Sequence, residues 1–174
     1  MYYWDVLDKK PLKFNWACGS EALSEDYIGI DIFKHPAVTI QADILKPLKL
    51  PDNCVDESCC LNFLEHLTPR ELIDFLNELW RVHKDKTTIA FRVPYFDPKI
   101  ESAWMASFSD PTHVSVFTYE TPTYFDINHF RWHDFAKGYY GNRSSGIPPF
   151  KLMKRLIVGQ RFLDFYLMVI KEQK

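Results

Sequence analysis

The run from Phe14 to Asp31, FNWACGSEALSEDYIGID, constrains the fold of this chain more than any other stretch. Leu12 to Trp16 reads as a buried strand, Ala17-Cys18-Gly19 as a tight turn, and Tyr27 to Ile30 as a second strand that ends on an acidic residue. An aspartate at the carboxyl end of the second strand of an open parallel sheet is placed to accept two hydrogen bonds from a ribose diol. Asp31 therefore points to a nucleoside ligand.

The intervening loop separates two classes of nucleoside. A dinucleotide pyrophosphate needs a G-x-G-x-x-G turn, because its oxygens approach backbone amides closely at a helix N-terminus. Here the loop has one glycine, Gly19, followed by Glu21, Glu25 and Asp26. Three carboxylates repel a diphosphate and attract a ligand that carries a sulfonium and an ammonium. The pattern favours S-adenosylmethionine over a nicotinamide dinucleotide.

With these residues and the motifs that follow, the chain resembles the class I S-adenosylmethionine-dependent methyltransferases, in particular small, methyltransferase type 11-like members with a shortened first loop. The resemblance runs from about Leu12 to Val93. It is carried by Ala17-Cys18-Gly19, Asp31, Asp43, the segment Leu50 to Asp56, Leu64-Glu65-His66-Leu67 and Trp80-Arg81-Val82-His83-Lys84, with an echo in Asp110 to Thr118. It implies that Ala17, Cys18 and Gly19 hold the methionine end of the cofactor, Asp31 the ribose, and Asp43 with Ile44 the adenine. Leu61 to His66, including Asn62 and Glu65, would form the floor beside the sulfonium. The sequence departs from the family pattern at Asn15, Ala17 and Glu21, and has Asp85-Lys86-Thr87 where relatives carry a glycine pair.

The implied fold is α/β: a Rossmann-like, mostly parallel seven-stranded sheet with one antiparallel edge strand and helices on its faces. Too few positions separate Gly19 from Asp31 for a full crossover helix, so that helix is expected to be reduced or absent. The aromatic amino terminus, with Tyr2, Tyr3 and Trp4, or a second copy of the chain, would then cover that face. A homodimer is one expectation of this reading.

Further strands are expected at Val38 to Ala42, Val55 to Asn62 and Thr87 to Val93, the last ended by Pro94. Thr68-Pro69-Arg70-Glu71 is a capping box with proline at the first helical position. Behind it Leu72, Phe75, Leu76, Leu79 and His83 mark an apolar helix face, with Lys84 and Lys86 set to complement the dipole at its end. Residues 95–149 read as a cap over the carboxyl ends of the strands, with short helices near Lys99 to Phe108 and Thr121 to Asp126. Phe150 to Val158 and Phe162 to Lys171 read as a closing hairpin. A chain of 174 residues suits one domain, 1–174, with 95–149 as its cap.

A net charge of −2 gives no reason to expect a nucleic acid. MYYWDVLDKK lacks the pattern of a signal peptide, and the apolar stretch from Leu156 to Ile170 is interrupted by Gln160, Arg161 and Asp164. The expected setting is cytoplasmic, with Cys18, Cys54, Cys59 and Cys60 reduced and no membrane partner.

Methyl transfer from a sulfonium is an in-line displacement that asks the protein to align a nucleophile, exclude water and sometimes accept a proton. His66, His113 and Tyr95 are the candidates for that work. No metal is required by this logic, and His129 with His133 lacks a third ligand in the sequence. Arg92, a charge inside a strand, reads as a salt-bridge partner or an anchor for an anionic substrate. The aromatic cap suggests a small or sugar-like acceptor. The competing readings are a scaffold that keeps the fold without catalysis and a nicotinamide-dependent oxidoreductase.

Overall fold

In the computed structural model, which describes residues 6–8, 10–130 and 146–171, the chain builds seven strands: β1 (Lys13–Trp16), β2 (Tyr27–Asp31), β3 (Ile40–Gln41), β4 (Val55–Leu61), β5 (His83–Pro94), β6 (Phe150–Val158) and β7 (Phe162–Val169). They form one sheet in the order β3-β2-β1-β4-β5-β7-β6. β1 to β5 are parallel, and β7 is antiparallel to both β5 and β6. The reversed strand thus lies one place inside the edge, and β6 forms the edge itself. Burial follows from this placement. Phe14, Asn15 and Trp16 of β1 are all buried, as a strand covered on both faces requires, whereas β7 alternates between buried and half-buried residues.

No helix stands between β1 and β2, in line with the short spacing there. Tyr2, Tyr3 and Trp4, the expected cover, lie outside the described residues, as do Trp132 and His133. Val6 is fully buried and Leu7 packs against the core. That core is one apolar cluster with members from every strand, and it extends to Ala103, Phe117, Phe125 and Ile147 beyond β5. No helix among the described residues is long and apolar enough to cross a membrane.

The long helix α1 (Pro69–Val82) starts where its capping box directs. The Thr68 hydroxyl accepts from the Glu71 amide at 3.4 Å, and the Glu71 carboxylate accepts from the Thr68 amide at 2.9 Å. Leu72, Phe75, Leu76, Leu79 and Val82 form its buried stripe. His83, expected on that helical face, instead caps the helix with extended backbone and opens β5. Its ring nevertheless turns back: Nδ1 donates to the Leu79 carbonyl at 2.6 Å, and Nε2 accepts from the Ser58 hydroxyl at 2.8 Å. A carbonyl orphaned at the helix end is thereby satisfied. Lys84 does not serve the helix dipole either, because its ammonium pairs with Asp56 at the start of β4.

The early start of β5 requires an interruption, since the register slips between Val55↔His83 and Glu57↔Thr88. Lys86 sits in that interruption with φ +60°. A β-carbon in this left-handed region costs about 1 kcal/mol. Because the Lys86 side chain is exposed, Lys86→Gly should stabilise the fold by about 1 kcal/mol and raise the thermal midpoint by about 2–4 °C in calorimetry.

Burial pushes the His83 imidazole down to about 4, against the upward pull of its Leu79 bond. The native ring stays neutral while the unfolded chain protonates near its ordinary value of 6.5. Stability from this group is therefore complete above that value, falls as the pH drops through it, and levels off near 4. The full loss is about 3 kcal/mol. Urea denaturation across this range should show wild type losing ground relative to His83→Gln as the pH falls.

Candidate functional site

The sheet reverses its order between β1 and β4, so the loops after these two strands diverge and leave a crevice at their carboxyl ends. A cavity of about 320 Å3 occupies it, lined by Ala17 after β1, Asp31, Ile32 and Phe33 after β2, Asp43, Ile44 and Leu45 after β3, and Asn62, Phe63 and His66 after β4. A smaller cavity of about 200 Å3 shares Ala17 and Asn62 with it and is walled by Asn15, Cys18, Gly19, Ser20, Glu21 and Leu61. Together they follow the edge of four parallel strands.

Asp31 is buried at the centre of this arrangement. Its Oδ2 accepts from the Gly19 amide at 2.8 Å and its Oδ1 from the Phe33 amide at 2.9 Å. One carboxylate thus ties the bend after β1 to the turn after β2. Each oxygen keeps a second lone pair for a ligand. The bend takes its course through Ala17 at φ +51° and Gly19 at φ +53°. Nothing lies within 4 Å of a β-carbon built at Gly19, so glycine is required there by backbone conformation and not by space.

Asp43 closes its own turn, with Oδ1 accepting from the Leu45 amide at 3.0 Å, and pairs with the exposed Lys46 at 3.1 Å. Ile44 is buried beside it, while Ile32 and Phe33 are left largely exposed at the cavity mouth. An apolar slot flanked by one carboxylate suits a flat aromatic base. Ile32, Phe33 and Leu45 were not singled out in the sequence, whereas Phe63 falls within the expected floor, Leu61 to His66. The first three follow the strand ends that were, and proximity to Asp31 and Asp43 was the available signal.

Glu65 and His66 form a 3-10 turn, Leu64–His66, after β4. The segment beyond β5 returns to this turn. Tyr95 bridges to Phe117, and the Glu65 carbonyl accepts from both Val114 and Ser115, at 2.9 and 3.0 Å. The return brings the rings of His66 and His113 together, edge to face at 4.9 Å. Burial pushes the Glu65 carboxyl up to about 7, the charge of Asp110 adding to it. Its Oε2 is buried without a hydrogen-bond partner. Tyr95 is not brought into this group: it is buried, its hydroxyl donates to Asp97 at 3.0 Å, and it is not among the cavity walls. Arg92 is held by a two-pronged pair with Asp164, Nε and Nη2 each donating at 2.7 Å.

Gly29 carries a role that sequence reading missed. A β-carbon there would stand 2.2 Å from the Ala37 carbonyl and 2.8 Å from the Cys18 sulfur, so the chain before β3 can cross β2 only over a bare backbone. Gly29→Ala should cost about 2 kcal/mol or more in urea denaturation and displace Asp31 two residues on.

The strand order, the reversed seventh strand and the crevice define the fold of class I S-adenosylmethionine-dependent methyltransferases, and solved structures of such enzymes superpose on the chain. A SAM-dependent methyltransferase from Archaeoglobus fulgidus matches 95% of this chain over 89% of its own, with 17% identity and a TM-score of 0.52. The 1,6-didemethyltoxoflavin-N1-methyltransferase of Burkholderia thailandensis, with bound 1,6-didemethyltoxoflavin and S-adenosylhomocysteine, matches 92% of this chain over 71% of its own, with 9% identity and a TM-score of 0.60. A mutant 16S rRNA (adenine(1408)-N(1))-methyltransferase from Catenulisporales acidiphilia, with cosubstrate SAM, matches 95% over 87%, with 11% identity and a TM-score of 0.56. No protein-family model and no curated protein matches the chain.

Proposed function

We propose that the protein is an S-adenosylmethionine-dependent methyltransferase acting on a small acceptor. The observation that carries this reading is the position of the buried Asp31 carboxylate. It stands at the carboxyl end of β2, on the wall of a crevice at the reversal of strand order, with hydrogen-bonding capacity to spare.

The residues fit the cofactor along its length. Asp31 would accept from the ribose hydroxyls, and Asp43 and Ile44 would flank the adenine in the slot formed with Ile32, Phe33 and Leu45. Ala17, Cys18 and Gly19 would hold the methionine end in the smaller cavity, close to the carboxylate of Glu21. Asn62 belongs to both cavities and stands where the sulfonium would pass between them, with Glu65 behind it. When bound, the cofactor supplies a methyl group already activated by its positive sulfur.

What remains for the chain is alignment and exclusion of water. His66 on the cavity wall and His113, packed edge to face against it, are the groups that would meet the acceptor. Tyr95, whose hydroxyl donates to Asp97 and whose backbone pairs with Phe117, would help to hold the described part of the proposed cap, residues 95–130 and 146–149, while 131–145 lie outside the described residues. The absence of a strong positive charge supports a small acceptor over a nucleic acid. A cytoplasmic setting and a second copy of the chain over the face left by the missing crossover helix belong to the same proposal.

Isothermal titration with S-adenosylmethionine and S-adenosylhomocysteine should show binding, with none for nicotinamide dinucleotides. Asp31→Ala should weaken it by about 1–3 kcal/mol, the cost of leaving the ribose hydroxyls unpaired. No binding at millimolar cofactor overturns the proposal, and an unchanged affinity in the variant removes Asp31 from it.

A further inference from the structure

Glu65, His66 and His113 each offer one ligand atom, and these atoms lie within 4.8 Å of one another. We infer that this cluster is a binding site for a divalent first-row transition-metal ion, placed where the acceptor meets the nucleoside cavity.

The tautomers of both rings follow from their partners. His113 Nδ1 is 3.0 Å from the Ser107 carbonyl, which only accepts, so Nδ1 carries the proton. His66 Nδ1 faces the Thr112 carbonyl at 3.3 Å and the Thr112 hydroxyl at 3.0 Å. That hydroxyl spends its own proton on Asp110 Oδ1 at 2.6 Å, so here too Nδ1 is the donor. Both rings are left with a bare Nε2. A backbone carbonyl behind Nδ1 and a free Nε2 is the arrangement by which proteins orient metal-binding imidazoles.

The third ligand gives an independent reason. Glu65 Oε2 is buried without a partner, and an orphaned carboxylate oxygen is costly unless something satisfies it. Asp110 Oδ2, 4.0 Å from His113 Nε2, adds negative charge on the solvent side. Two imidazoles and one carboxylate suit iron, cobalt, zinc or manganese better than magnesium or calcium, which prefer oxygen ligands. Ligands about 2.1 Å from one ion stand about 3.0–3.5 Å apart, so the widest pair of the cluster has to close by up to about 1.5 Å. The site is otherwise held in place: the 110–115 turn is fastened to Glu65–Leu67 by the Val114 and Ser115 amides and by the Ser115 hydroxyl on the Leu67 carbonyl at 2.6 Å. Sequence reading sought a metal partner for His129 and His133 and passed over this set, whose members come from two distant segments.

Because His66 also lines the larger cavity, the ion would lie at its rim with coordination positions open to an acceptor oxygen or nitrogen. That use rests on the methyltransferase reading, whereas the binding of metal does not. The test uses the full chain, stripped with a chelator and titrated with Co2+ alone. A visible d–d absorption band should appear and saturate at one ion per chain, and Zn2+ should abolish it by displacement. His113→Gln and Glu65→Gln should each weaken Co2+ at least tenfold, while His35→Gln, at an exposed histidine elsewhere, should leave it unchanged. Circular dichroism of the metal-free variants checks that they fold, and His66→Gln replaces any that does not. The absence of a band, or equal affinity in the cluster variants and wild type, overturns the proposal. Metal binding without binding of S-adenosylmethionine would uphold the site and remove the methyltransferase reading, and the reverse result would do the opposite.

Discussion

The buried carboxylate of Asp31 holds the ligand side of this molecule together. Between β1 and β2 the chain has no helix to stiffen it, and its bend passes through two left-handed residues. Hydrogen bonds from Gly19 and Phe33 to the two oxygens of Asp31 supply the missing constraint. Charge-assisted bonds of this kind are about twice as strong as neutral ones. The same carboxylate therefore sets the shape of the wall and presents the acceptor atoms that a ribose would meet.

This dual use depends on how closely β2 approaches its neighbours. The amide of Thr39 bonds to the Gly29 carbonyl at 2.8 Å, and that of Ala42 to the Asp31 carbonyl at 2.9 Å, which draws the chain before and after β3 across the end of β2. Only a residue without a side chain fits beneath that crossing. On the other side of the crevice the 110–115 turn is held by the Glu65 carbonyl in the same manner. The loop that lines the cavity around β3 and the turn that backs His66 are thus both fixed by backbone bonds, and a functional site on loops needs such fastening to keep its geometry.

Most of the local features could be read from the sequence because their causes are local. The capping box at Thr68 needs four adjacent residues, the bend at Gly19 needs one glycine, and Asp31 announces itself by ending an apolar strand. The strand order followed from resemblance, since spacing alone does not order strands. His83 was misplaced because its i, i+4 spacing from Leu79 is real: the ring does bond the Leu79 carbonyl, but from extended backbone. The Arg92–Asp164 pair and the cluster of Glu65, His66 and His113 depend on segments distant in sequence, and no local window contains both halves of either; Gly29 lies near Ala37 and Cys18 in sequence, but a close backbone crossing leaves no residue pattern to read.

Left-handed turns built without glycine bear on what the site retains. Ala17, Asn62 and Lys86 all adopt φ between +51° and +60°, so the backbone keeps a left-handed course where it lacks the residue best suited to it. The cost is about 1 kcal/mol at each position, and such strain persists only where the surroundings over-determine it. Two of the three, Ala17 and Asn62, line both cavities, whereas Lys86 lies far along the chain in the interruption of β5. Ala17 also packs against the core cluster, which offsets part of its strain with burial. A side chain at these positions therefore raises the energy of the turns without diverting them, and it is the path of the backbone, with its amides directed by Asp31, that a nucleoside would recognise.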